Sequence, residues 1–158
     1  MAYALLKTLH LLAVVVWLGG MFFAHFCLRP AAMTLPPPQR LPLMAMALGR
    51  FFSAVTVAIA LILVTGGWML GRVAATTKST GAPFNMPLEW HVMVGLGLVM
   101  MMVFGHIRFA LYRRLQRAVA AQDWPAGGAA LASIRGWVAI NLTIGTVIVL
   151  VTLMGTAT

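Results

Sequence analysis

Acidic side chains are nearly missing from this 158-residue chain: two Asp and Glu stand against eleven Lys and Arg. Charged residues of both signs make up only 8%, while hydrophobic residues make up 62%. A soluble domain carries about 25% charged residues, so a water-soluble enzyme is excluded. Disorder is excluded too, because it requires low hydrophobicity. A mean hydropathy of +0.98 points to an integral membrane protein. Cysteine is also scarce. The single Cys27 excludes an intrachain disulfide. The absence of any C-x-x-C-H excludes covalent c-type haem. Cys27 closes an apolar run and reads as a small buried side chain.

The net charge of +9 would suggest nucleic acid in a soluble chain. Here the aromatics sit inside apolar runs and the basic residues flank them, which is the pattern of membrane topology. Four runs reach the roughly 20 residues that a bilayer requires. They cover about 4–28, 51–70, 88–112 and 136–154. The first is too long for the apolar core of a signal peptide and reads as a retained helix. Pro30 and the run Pro36-Pro37-Pro38 interrupt the first connection. Residues 41–50 read as an interfacial helix. Gly71, Gly81, Pro83 and Pro87 mark a polar loop over 71–87. The last connection opens with RRLQR and passes Asp123, Pro125 and Gly127-Gly128.

Arg29, Arg40, Arg50, Arg108, Arg113, Arg114, Arg117 and Arg135 border the first and last connections. Lys7, Arg72 and Lys78 border the other side. The positive-inside rule then puts both termini in the periplasm and makes spans one and three parallel. The expected fold is a single integral membrane domain over 1–158. It is all-α, a four-transmembrane-helix up-and-down bundle.

The four histidines lie on spans one and three, and ionisable groups inside a membrane point to function. His25 follows His10 by fifteen residues, and His106 follows His91 by the same interval. Each interval is about 22 Å of helix, with an angular offset of about 60°. On parallel diagonal helices His10 falls level with His91, and His25 with His106. Two b-type haems between helices 1 and 3, each with two axial imidazoles, suit this pattern. Ala13, Gly20, Gly95, Gly105 and Gly145 leave space for the macrocycles. Trp17 lies between the two levels as a core aromatic or a bridge. Propionates need cationic or hydrogen-bonding partners. Arg29, Arg50, Arg108 and Arg135 are candidates at the inner level. Lys7, Arg72 and Lys78 are candidates at the outer one.

The two-histidines-per-helix layout resembles the core of diheme b cytochromes. The opening LLKTLHLLAVVVWLGGMFFAHFCLRP resembles CopD-type copper-resistance membrane proteins. Lys7, His10, Trp17 and Gly20 also resemble the pattern of HemJ-type protoporphyrinogen oxidases, although Met93 stands where that pattern has a lysine. CopD-like membership implies a protein of a Gram-negative inner membrane.

Three functions follow as expectations. The first is a diheme b-type cytochrome that moves electrons to or from a membrane quinone or a redox partner. The second is copper handling. Twelve methionines, among them Met21, Met44, Met46, Met86, Met93 and Met100-Met101-Met102, offer thioethers suited to Cu(I). Met21, His25 and Cys27 lie close along span one. The third is a haem-bearing subunit of a larger respiratory complex. Glu89, beside Trp90 and His91, reads as a carboxylate at the start of span three.

Overall fold

Inside hydrocarbon each spanning segment must satisfy its own backbone hydrogen bonds, which leaves helices for four apolar runs. The computed structural model describes residues 1–81 and 86–155, so Pro83 lies outside the described residues. Among those described there are four long helices and no strand. α1 is Ala2–Ala32, α2 is Pro37–Ser79, α3 is Leu88–Ala120 and α4 is Trp124–Gly155. All four are long and apolar enough to cross a membrane. This is the all-α, four-helix fold class expected.

The helices overrun the apolar spans, for identifiable reasons. α2 has 43 residues, about 65 Å at 1.5 Å per residue, against a hydrocarbon thickness of about 30 Å. It absorbs both the 41–50 segment and residues 71–79. The proline run starts this helix: Pro36 is its extended N-cap and Pro37 takes the first turn, where the missing N–H is no loss. Pro42 leaves free only the carbonyl of Pro38, in an exposed first turn.

Pro30 does not end α1. A π turn at Ala24–Leu28 precedes it, and the Arg29 N–H donates to the Ala24 carbonyl five residues back. The wider turn accommodates a ring that would press on the carbonyl of Phe26 in a regular α-helix. A second π turn, Ile107–Leu111, interrupts α3, with the Tyr112 N–H donating to the Ile107 carbonyl.

α3 continues through RRLQR because that stretch is amphipathic. Tyr112, Leu115 and Ala118 are buried while Arg113, Arg114 and Arg117 face out. Gln122 ends the run with φ +54, and the Asp123 N–H donates back to the Ala118 carbonyl at 2.9 Å. The Asp123 carboxylate then accepts the Ala126 N–H at 3.0 Å, capping α4 twelve residues before the apolar span expected there. Gly127 keeps α4 helical while admitting α2, since a Cβ there would meet Leu41 Cδ1 at 3.0 Å.

α1 packs along α2 and α3 along α4. The two pairs join through four aromatic rings set edge-to-face. Trp17 meets Phe104 at 6.1 Å, Phe52 meets Phe104 at 5.9 Å, and Phe52 meets Tyr112 at 5.3 Å between centroids. Leu12, Val64, Met102 and Leu150 are more than half exposed on the outside, as a surface solvated by acyl chains should be.

Candidate functional site

The four histidines have different surroundings. His10 Nδ1 lies 3.0 Å from Thr65 Oγ1 on α2. The adjacent Gly66 allows this approach, since a Cβ there would stand 3.2 Å from the imidazole Cε1. His91 is exposed, and its Nδ1 lies 3.1 Å from the Pro87 carbonyl one turn back. His106 is also exposed and packs against Trp137 of α4 at 5.3 Å between ring centroids. His25 packs on Phe26 at 4.8 Å. Its Nδ1 is buried with no hydrogen-bond partner. The contacts of these histidines thus run to α2, to α4 and to their own helices.

Both π turns coincide with the second histidine of a pair. His25 lies inside the first, and His106 immediately precedes the second. Such turns recur at functional sites because they re-aim side chains that a regular helix would direct elsewhere.

At the arginine-rich end, a cavity of about 220 Å³ opens between α1, α2 and α4. His25 and Arg29 line it from α1, Met33 from the turn that follows, Arg40 and Met44 from α2, and Arg135 from α4. His25, Arg29 and Arg135 were expected site residues, and here they share one space. Arg40 was expected only as a topology signal. The short turn between α1 and α2 brings it to the same cavity as Arg29, and the Pro-rich connection over residues 29–40 was the available clue. Arg40 Nη1 lies 3.6 Å from the Met33 sulfur.

Other expected residues lie apart from this cavity. Arg108 spreads over the Tyr112 ring at 5.3 Å. Arg72 covers the Trp68 ring at 5.1 Å, a cation–π pair suited to a membrane interface. Lys7 and Arg50 are exposed. Trp17 is 3% exposed, a core aromatic. Cys27 is exposed and not the buried side chain expected, because its helix face looks outward where Met21 looks inward.

Sequence reading overlooked Asn141. It is 1% exposed in the middle of α4. Its Nδ2 stands 3.8 Å from the Met21 sulfur, and its Oδ1 is buried without a partner. One turn on, a Cβ at Gly145 would lie 3.1 Å from the Met100 methyl. Met21 and Met100 therefore meet neighbouring turns of one face of α4. A lone amide within an apolar span was the signal available. Among the described residues no three His, Cys, Asp or Glu side chains gather in a form able to hold a metal ion.

Comparison with family models matches the chain to copper resistance protein D (CopD) over residues 45–154. The chain belongs to the CopD family. The CopD match covers most of α2, all of α3 and α4 up to Met154, with His91 and His106, while α1 with His10 and His25 precedes it. Searches of curated proteins and of solved structures found no match to this CopD chain.

Proposed function

We propose that this chain handles copper within the membrane, as a multi-pass copper-resistance protein. The CopD family match over residues 45–154 carries the reading. Thioether and imidazole donors suit Cu(I). Met21 of α1 and Met100 of α3 are buried donors of this kind that pack against adjoining turns of α4, with the amide of Asn141 beside Met21. A cation is better accommodated among these neutral groups than in the arginine-lined cavity, where three guanidinium groups would repel it. The charge asymmetry of the connections favours an inner-membrane location with both termini in the periplasm.

Cu(I) titration of the detergent-purified chain against a chromophoric chelator tests this. The expected result is about one Cu(I) per chain, weakened at least tenfold in the Met21→Leu, Met100→Leu double variant. Leu conserves the volume of Met, so the fold should survive. No retained Cu(I), or the same affinity in the double variant, would remove the proposed site.

A second reading is a diheme b cytochrome exchanging electrons with a quinone or a redox partner. The unpartnered Nδ1 of His25, beside Arg29 and Arg135, favours it. His10 with His91 and His25 with His106 would be the axial ligands. Arg29, Arg50, Arg108 and Arg135 would serve one haem's propionates, and Lys7 and Arg72 the other's. Haem would supply reversible one-electron transfer. A pyridine haemochrome assay decides: two haems per chain support this reading, and a folded chain without haem ends it.

A further inference from the structure

The cavity at the arginine-rich end has a charge problem that the protein itself does not solve. Arg29, Arg40 and Arg135 line it, with His25 contributing a buried, unpartnered Nδ1. No carboxylate belongs to its wall. The chain's two acids are engaged elsewhere: Asp123 caps α4, and Glu89 packs against Gly155 at the opposite end. Arg40 also lies in the first turn of α2, where the helix dipole is itself positive and disfavours a cation. Positive groups from three helices thus converge with no carboxylate among them, and only Arg29, in the last turn of α1, is favoured by its own helix dipole.

The rest of the wall is apolar, built from Leu41, Leu48, Phe51, Ile134 and Val138. A ligand that fits both parts carries an anionic head and a hydrocarbon body. The helices lie in a medium made of such molecules. We infer that this cavity binds the phosphate head group of an anionic membrane lipid, with the guanidinium groups on the phosphate and the first acyl carbons against Phe51 and Val138. Basic pockets between transmembrane helices take head groups in this way. A volume of about 220 Å³ suits a phosphate with the start of its glycerol, and the chains would continue into the bilayer. None of these residues belongs to the proposed copper site, where Met21 of α1 and Met100 of α3 pack against another part of α4.

The test is native mass spectrometry of the delipidated full chain with added phosphatidylglycerol or, separately, phosphatidylcholine. Phosphatidylglycerol should bind at least tenfold more tightly. The Arg29→Gln, Arg135→Gln double variant should lose about tenfold of that affinity, since charge-assisted hydrogen bonds to phosphate are among the stronger ones. Arg113→Gln with Arg114→Gln removes two exposed charges outside the cavity and should leave binding unchanged. An equal loss in this control would reduce the effect to surface charge and overturn the site. So would equal binding of the two lipids, a comparison on the unaltered chain that decides even where a variant fails to fold. Haemin that phosphatidylglycerol cannot displace would reassign the arginines to propionates. Inorganic phosphate that competes at equal concentration would reduce the cavity to a free-anion site.

Discussion

A close approach between α2 and α3 gives a double-mutant cycle whose outcome can be worked out beforehand. Tyr112 is 5% exposed, and its hydroxyl donates to the Ala45 carbonyl at 2.9 Å. Gly49, one turn along α2, is what lets the ring in: a Cβ there would collide with the Tyr112 hydroxyl yet stand 3.4 Å from the ring carbon that bears it. Gly49→Ala must therefore expel the hydroxyl. The lost hydrogen bond costs about 1 kcal/mol, and overpacking adds about 1–3 kcal/mol. Better helix propensity returns at most about 1 kcal/mol. The net loss is about 1–3 kcal/mol. Tyr112→Phe alone loses about 1 kcal/mol. In that background the new methyl meets only the ring carbon at ordinary contact distance, so Gly49→Ala should be neutral or stabilising by up to about 1 kcal/mol. Reversible unfolding in mixed micelles, followed by circular dichroism, measures all four corners. If Gly49→Ala costs the same with Tyr112 or Phe at the partner position, to within about 0.5 kcal/mol, the hydroxyl is not what Gly49 accommodates and the reasoning fails.

Three further outcomes are expected from the same unfolding measurement. Gly20→Ala drives a methyl into the Phe51 ring and should lose about 1–3 kcal/mol, with Phe51→Ala relieving part of the clash; additive losses would argue against it. Asp123→Ala removes the cap of α4 and should lose about 1 kcal/mol, whereas Asp123→Asn should keep most of the stability. Gln122→Gly relieves a left-handed residue and should gain up to about 1 kcal/mol; a loss would mean that the Gln122 side chain has a role of its own.

The four spans were legible because an apolar run of membrane length has few alternatives to a helix. Their ends were less so. RRLQR looks like a polar loop until Leu115 and Ala118 are set one turn apart, and Pro36-Pro37-Pro38 looks like a stop although its last two residues begin α2. The depth of each histidine follows from counting along a helix. Its lateral partner does not, because one residue of register turns a side chain by about 100°. That is why His10 could be assigned to a level while Thr65, its neighbour on α2, went unseen. The cavity was legible in part: His25, Arg29 and Arg135 were picked out for their charge or chemistry. Arg40 joins them through the path of the α1–α2 turn, which composition does not encode.

The two π turns make the molecule sensitive to helix register in an unusual way. Each holds one residue beyond what a regular α-turn needs, so removing a single residue from Ala24–Leu28 would relax α1 to an uninterrupted α-helix without breaking the chain. Everything after it would keep nearly its angle about the axis, because the wide turn already absorbs the extra residue. The same turn relaxing to α with no deletion would instead swing everything after it by about 100° and advance it by about 1.5 Å. Arg29 would then leave the cavity, and Pro30 would carry the connection to α2 in a new direction. These extra residues act as phase shifters, setting the lipid-facing length of the helix and its arginine-bearing tip at independent angles. The two segments of α1 can therefore diverge under separate constraints, one from the bilayer and one from whatever occupies the arginine-lined end.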